Sequence, residues 1–178
     1  PLNNHYSVAS HSMYLAKYAI KEEADLEIIR YCLMHDSSEA YLSDIHFPCH
    51  EIATRNLTIR LLKRIQPGII FLGGDIIDCN AVSKYPKDPD YPYTLQDEVE
   101  VTFSELSRLR QMFPSATIYF KEGNHEKRIT KYTHSNAAAL SPLKGIRIPN
   151  LLKLDDLDIQ WIPNEDKFKI GELWHMHG

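Results

Sequence analysis

The sequence predicts an α/β fold built around a parallel β-sheet. After residue 48, short apolar runs alternate with longer stretches whose apolar residues recur at helical spacing. Two of the short runs, residues 68–72 (GIIFL) and 116–120 (ATIYF), carry no charge, as expected of strands buried on both faces. Each leads into a polar segment that contains glycine, and an open α/β sheet places its ligand-binding loops at such strand ends.

The elements are predicted in chain order from periodicity and breaker residues. Residues 7–43 have helical character. Their apolar positions are Val8, Met13, Leu15 and Ala16, followed by Leu26, Ile28, Ile29, Leu33 and Met34. Beyond Pro48 we expect a helix at 51–65, a strand at 68–72, a proline-rich loop at 80–93, a helix at 95–113, a strand at 116–120, and strands at 157–162 and 168–176 joined by a turn.

Composition limits the classes of protein to which the chain can belong. Its 178 residues carry a formal net charge of -4, so there is no charge signature for general DNA binding. No apolar run is long enough to span a bilayer, and we expect no membrane partner. The three cysteines, Cys32, Cys49 and Cys79, are widely spaced and form no C-x-x-C pair. A disulfide framework is therefore not expected, and a cytoplasmic location is predicted.

Three segments place residues of the metal-binding type just past predicted strands or helices. They are DIH at 44–46, GGDIID at 73–78 and GNHE at 123–126. Because the carboxyl ends of parallel strands meet at one edge of the sheet, these side chains are expected to surround a common point. Mixed imidazole and oxygen ligands suit Mn, Fe, Zn or Mg.

In this order and spacing, residues 44–178 resemble the calcineurin-like metallophosphoesterases, whose motifs are D-x-H, G-D-x-x-D, G-N-H-[DE], a later His and G-H-x-H. The resemblance implies a two-sheet sandwich flanked by helices and two divalent metal ions, with Mn favoured and Fe, Zn or Mg as alternatives. It implies that Asp44 and His46 bind one metal and that Asp75 bridges both. Asn124 and His177 would bind the second metal, with His175 as the alternative to His177. The final G-H-x-H is not reached before Gly178, so we expect this domain to lack its last motif.

The same resemblance implies a hydrolase, either a phosphatase or a phosphodiesterase. A hydroxide activated by two metals would attack a phosphomonoester or phosphodiester, and a nucleotide or a nucleic acid is among the expected substrates. By its match to the G-N-H-[DE] motif, His125 would protonate the leaving oxygen. Asp78 and Arg128 are secondary candidates. Asp78 would orient a metal-bound histidine and Arg128 would bind a phosphate oxygen, and a surface or capping role is the alternative for both.

The first residues follow another pattern. The run HDSSEAYLSDI at 35–45, with His11 upstream, resembles the opening of HD-domain phosphohydrolases. This resemblance implies that His11, His35 and Asp36 bind one metal and that Glu39 activates water. The family's last Asp ligand has no counterpart here, so the HD-like site is expected to be incomplete.

The sequence thus predicts a helical HD-like segment at 1–43 followed by a metallophosphoesterase domain at 44–178. Two alternatives remain open. One is an HD-type nucleotide phosphohydrolase with one divalent metal, and the other is a catalytically incomplete binding fragment. Asp44 belongs to both motif patterns, and the residues before it, at 39–43, lie at the tail of a predicted helix where D-x-H is normally preceded by a strand. Either three or four of them form a short strand, or the central sheet loses a member.

Overall fold

The computed structural model describes residues 39–170, 173–175 and 177. In this part of the chain the order is β1 (Glu39–Leu42), α1 (Ile52–Ile65), β2 (Ile69–Leu72), α2 (Leu95–Met112), β3 (Thr117–Lys121), α3 (Lys127–Asn136), α4 (Ile148–Leu151), β4 (Ile159–Ile162), β5 (Phe168–Ile170) and β6 (Leu173–His175). Strands β1 to β4 form a parallel sheet in that spatial order, and β5 pairs with β6 in antiparallel fashion. The predicted α/β class is confirmed.

The parallel sheet is covered on both faces because successive side chains along a strand point to opposite sides. On one face Ile70, Ile118 and Ile159 lie in register across β2, β3 and β4 and join the main core, to which the helices contribute. On the other face Phe71, Tyr119 and Ile162 belong to a second apolar cluster. This arrangement explains why the strands are continuously apolar in sequence rather than alternating.

The small β5–β6 sheet packs against the second face of the parallel sheet. The ring of Phe168 stacks on that of Phe71 with centroids 5.9 Å apart, and His175 lies 4.4 Å from Phe71. Aromatic contacts of this kind add to the free energy gained by burying apolar area.

Helices α1 and α2 lie over the main core and contact each other through an ion pair. The guanidinium of Arg55 on α1 donates to both carboxylate oxygens of Glu105 on α2. Helix α2 begins with a capping box, in which the Thr94 hydroxyl accepts from Asp97 N and the Asp97 carboxylate accepts from Thr94 N. Between the two helices and the ends of β1 and β2 lies a largely apolar cavity of about 310 Å³.

The expectation that residues 39–43 end a helix is wrong. Residues Glu39–Leu42 form β1 and pair in parallel with Ile69–Leu72. Ladder hydrogen bonds and the burial of Ala40 outweigh the local helical pattern, because tertiary pairing overrides propensity in so short a segment. As a result, Asp44 does follow a strand, as Asp75 does.

The expectation for the last strands also needs correction. Residues 157–162 contain β4, which a turn joins to the next strand as expected and which pairs with β3. The run 168–176 holds two short strands, β5 and β6, rather than one.

In the described part of the chain, no helix has the length and apolar character required to cross a membrane.

Candidate metal centre

The three polar segments meet at the carboxyl edge of the parallel sheet, where β1, β2 and β3 end. The first two are joined directly by backbone hydrogen bonds. Asp44 N donates to Gly74 O at 3.1 Å, and His46 N donates to Asp75 O at 3.0 Å. Phe47 N also donates to Ile76 O at 2.7 Å. Parallel pairing therefore continues beyond the strands and sets the predicted ligands of the two segments side by side.

His46, Asp75 and His125 form a possible metal-binding group. Each offers one ligand atom, and these atoms lie within 4.8 Å of one another. The Nδ1 atoms of His46 and His125 are 3.2 Å apart, and His125 Nε2 is 3.8 Å from Asp75 Oδ2. Two imidazoles and a carboxylate are a donor set that suits a divalent transition metal, so the side chains present fit such an ion.

Asp75 also faces a second group of donors through its other oxygen. His177 Nε2 lies 3.3 Å from Asp75 Oδ1 and 3.0 Å from Asn124 Oδ1. The Nδ1 atom of His177 lies 2.9 Å from Gly73 O, which selects the tautomer that leaves Nε2 for a ligand. The nearly buried Asp75 carboxylate is thus positioned between two sets of donors.

Asp78 and Arg128 hold the imidazole of His125 from both sides. Asp78 Oδ1 is 2.9 Å from His125 Nδ1 and 3.5 Å from His46 Nδ1. Arg128 Nη2 is 2.7 Å from His125 Nε2, while its Nη1 donates to Asp78 O at 2.8 Å. An imidazole held in this way cannot rotate freely, so its ring nitrogens are presented in fixed directions.

Glu126, the last residue of GNHE, is fully buried and joins two of the motif segments. Its carboxylate accepts hydrogen bonds from the backbone N–H groups of Asp75, Ile76 and Ile77 in the second segment. It also accepts from Gly123 N in its own segment, at 2.9 Å. The motif resemblance assigns Glu126 only a position in G-N-H-[DE] and no function. Its motif position was the only signal, since a buried acid is indistinguishable from a surface acid until its partners are known.

Three of the predicted ligands have left-handed backbone conformations. The φ angles are 55° at Asp44, 55° at His46 and 54° at Asp75. Non-glycine residues rarely adopt this region, which costs on the order of 1 kcal/mol or more each, and such residues cluster at functional sites. The surrounding hydrogen bonds hold them there. Gly74 also has a positive φ angle, of 97°. A Cβ at this position would lie 2.6 Å from His177 Nδ1, so a side chain would clash with that ring.

Electrostatics at the centre favour charged carboxylates. Hydrogen bonds from His125 and then His46 hold the pKa of Asp78 far below its usual range, although burial opposes this. Burial also tends to raise the pKa of Asp75, yet hydrogen bonds from His177 and the His125 amide leave it lowered. Correspondingly, the Asp75 carboxylate raises the pKa of His177 to about 9, against the effect of burial. Hydrogen bonding to Asp78 raises the pKa of His46.

The structure brings most of the predicted site residues together. The exposed Asp44 is outside the group formed by His46, Asp75 and His125, although its charge contributes to the raised pKa values of His46 and His177. His175 is not at the centre, because its ring stacks on Tyr41 with centroids 4.9 Å apart.

Most of the predicted HD-like site, His11, His35 and Asp36, lies outside the described residues. Glu39 is the first residue of β1, opposite Ile69 at the start of β2. It therefore lies at the other end of the strand from His46, and its carboxylate accepts a hydrogen bond from Tyr41 Oη. The helical conformation predicted for Glu39 as part of residues 7–43 is wrong, because Glu39 pairs in the sheet.

No family model, no curated protein and no solved structure matches this chain. The two family resemblances therefore rest on the sequence motifs.

Proposed function

We propose that the chain is a metal-dependent phosphoesterase of the calcineurin-like class, hydrolysing phosphomonoesters or phosphodiesters. One observation supports this above the others. The two oxygens of Asp75 face two different donor groups, His125 with His46 on one side and His177 with Asn124 on the other. A carboxylate in that position is suited to bridging two cations.

In this proposal Asp44 and His46 would hold the first ion, Asn124 and His177 would hold the second, and Asp75 would serve both. Bound divalent ions supply charge that polarises phosphate oxygens, and they lower the pKa of a coordinated water. The chain itself supplies their positions, because backbone bonds between the motif segments and the buried Glu126 fix the ligands relative to one another.

His125 and Arg128 then act on the phosphoester. Since Nδ1 of His125 donates to Asp78, Nε2 is the nitrogen that would pass a proton to the leaving oxygen. In the metal-free geometry Nε2 accepts from Arg128, so it would first have to separate from the guanidinium and take up a proton. Arg128 lies against that same nitrogen, so its guanidinium is placed to bind a phosphate oxygen next to the leaving group. His125 also belongs to the possible metal-binding group, so direct ligation of a metal is a competing role. A variant of His125 can distinguish ligation from proton transfer.

The proposal also extends to the fold. The parallel sheet with helices on one face and the β5–β6 sheet on the other is compatible with the two-sheet sandwich implied by the resemblance. In that architecture β6 delivers the second-metal histidine to the edge where β1, β2 and β3 end. The contact between His177 and Gly73 O agrees with such a delivery.

The test is turnover of bis(p-nitrophenyl) phosphate with Mn²⁺, measured together with the number of ions bound per chain. We expect two ions and a turnover that Asp75→Asn abolishes, because the amide cannot bridge two cations as a carboxylate does. The matched control is Asp156→Asn, an exposed position in the turn before β4, at the opposite edge of the sheet. Absence of turnover with any divalent metal would leave the alternative of a non-catalytic binding fragment. One ion retained by Asp75→Asn and lost on substitution of His35 and Asp36 would support the HD-type alternative instead.

A further inference from the structure

Within the loop predicted at 80–93, the proline-rich loop proper comprises residues 83–93, SKYPKDPDYPY. It follows the Asn80–Val82 turn, just beyond Asp78. Its position is fixed by a side chain that is 0% exposed, Glu98 on α2. Glu98 Oε1 accepts from Tyr91 Oη at 2.9 Å and from Asn80 N at 3.0 Å. One buried carboxylate thus joins the loop to the segment that carries Asp75 and Asp78.

Tyr91 also connects the loop to the segment that carries His46. The thiol of Cys49 lies 3.7 Å from Tyr91 Oη. Burial raises the pKa of Glu98, and its Oε2 atom has no hydrogen-bond partner among the described residues. The bonds that Oε1 accepts from Tyr91 and Asn80 are therefore the ones that offset the cost of burying this group. The loop therefore has a defined position beside the metal centre rather than serving only as a connection.

Two cations face the centre from this side. Lys87 Nζ donates to the carbonyl oxygens of Asn80 and Ser83, and Arg128 Nη1 donates to the carbonyl oxygen of Asp78, two residues before Asn80. In keeping with these hydrogen bonds, burial and then the positive charge of Arg128 lower the pKa of Lys87. The acids of the loop, Asp88 and Asp90, are exposed, and Asp88 is engaged in a turn by accepting from Asp90 N at 2.9 Å.

The loop also presents aromatic rings to solvent. Tyr85 is 62% exposed, and Lys84 Nζ lies 5.4 Å from the centre of its ring. Tyr93 is partly exposed and packs edge-on against Tyr91 at 5.6 Å. Exposed rings among cations are the features on which single-stranded nucleic acids stack their bases, with the cations on the phosphates.

From these contacts we propose that the proline-rich loop is a recognition element for a single-stranded nucleic acid. Lys87 binds a backbone phosphate beside Arg128, and Tyr85 stacks on a base next to it. The choice of a phosphodiester strand as the substrate rests on the proposed phosphoesterase function. Binding of the strand does not depend on that function, so binding and hydrolysis can be tested separately.

The binding experiment uses a short fluorescein-labelled single-stranded oligothymidylate in EDTA, with anisotropy as the readout. Tyr85→Ala is expected to weaken binding roughly five- to tenfold, the loss typical of one base–aromatic stack. Lys87→Met is expected to reduce the slope of log K against log salt by about 0.7, the value for one phosphate contact on a single strand.

Two matched controls lie outside the proline-rich loop. Trp174 on β6 is also 62% exposed, with Lys169 Nζ 6.0 Å from its ring. Lys63 is exposed at the end of α1, near the opposite edge of the sheet. Trp174→Ala and Lys63→Met are expected to leave binding and salt dependence unchanged.

Turnover supplies the second readout. In Tyr85→Ala and Lys87→Met, the ratio of kcat/KM for the oligonucleotide to kcat/KM for bis(p-nitrophenyl) phosphate is expected to fall. Binding in EDTA that is insensitive to both variants would overturn the recognition role, even if the small ester is hydrolysed. Equal binding of a phosphopeptide of the same charge would also overturn it. Sensitive binding without any turnover would support the recognition element and contradict the phosphoesterase function.

Discussion

Asp78 Oδ1 lies 2.9 Å from Nδ1 of His125, while Arg128 contacts the opposite nitrogen of the same ring at 2.7 Å. Asp78 follows β2 and His125 follows β3, so the contact between them joins the second motif segment to the third. Because the neighbouring His46 shares the same carboxylate at 3.5 Å, one side chain orients both imidazoles of the candidate centre.

The first prediction concerns Asp78. Asp78→Asn keeps the shape of the side chain but removes the negative charge that orients His125 and His46. We expect kcat/KM on bis(p-nitrophenyl) phosphate with Mn²⁺ to fall by about 10–100-fold, as is usual when a residue supporting a ligand is lost. Asp156→Asn serves as the control, and wild-type activity in Asp78→Asn would contradict the positioning role.

The second prediction separates proton transfer from ligation at His125. If His125 protonates the leaving oxygen, His125→Asn should lower kcat by about 10²–10⁴-fold while Mn²⁺ binding remains close to that of the wild type. The loss should be smaller for p-nitrophenyl esters than for alkyl esters, since p-nitrophenolate leaves without a proton. Calorimetric loss of one bound ion in this variant would instead assign His125 to the metal.

The third prediction uses the tight approach between Gly123 and Asp75. A Cβ at Gly123 would lie 2.5 Å from Asp75 N and 2.8 Å from Glu126 Oε2, so Asp75 must move in Gly123→Ala. We expect Mn²⁺ affinity, measured by calorimetry, to fall at least about tenfold. Gly145→Ala is the matched control because nothing lies within 4 Å of its added Cβ. Unchanged affinity in Gly123→Ala would show that the described contact between the segments does not set the ligand position.

The fourth prediction concerns the stability contributed by Glu126. Glu126→Gln replaces one acceptor oxygen by an NH₂ group that faces backbone N–H donors. We expect a loss of about 2–3 kcal/mol in the free energy of unfolding. For a chain of this size that corresponds to a drop in Tm of roughly 5–10 °C, measured by thermal unfolding without metal. Glu100→Gln, at an exposed position on α2, should change Tm little. Equal shifts in the two variants would refute the structural role.

The fifth prediction follows from the pKa of His177, which the Asp75 carboxylate raises to about 9 in the metal-free protein. At neutral pH this histidine carries a proton that must leave before Nε2 binds a metal. Apparent Mn²⁺ affinity should therefore rise with pH until about 9, by up to roughly tenfold per pH unit for each proton displaced. Calorimetry in buffers of different ionisation enthalpy measures the protons released. His177→Asn should flatten the dependence, and an affinity independent of pH in the wild type would contradict the prediction.

Much of the α/β core could be predicted from local sequence. The runs at 68–72 and 116–120 contain β2 and β3, and Pro67-Gly68 correctly marks the end of α1. The helix predicted at 95–113 is α2, whose apolar spacing reflects the face turned to the core. These elements have strong periodicity and clear breakers, so tertiary contacts agree with local preference rather than override it.

The elements that local sequence misplaced are the short edge strands. β1 has four residues in a stretch of helical character, and only its pairing with β2 decides its conformation. β5 and β6 have three residues each, too few for a period to be read with certainty. For strands this short, partner hydrogen bonds and burial contribute more than intrinsic propensity.

For the candidate centre, the sequence by itself determined which chemical groups are available and in which segments they lie. His46, Asp75 and His125 could be named from motif order alone. Only the tertiary structure decided that Asp75 stands between two donor groups, that Glu126 is buried beneath the centre, and that Glu98 ties the proline-rich loop to its side. The physical reason is that a residue type fixes the ligand atoms a side chain can offer. Which of them meet depends on strand pairing and burial between residues far apart in the chain.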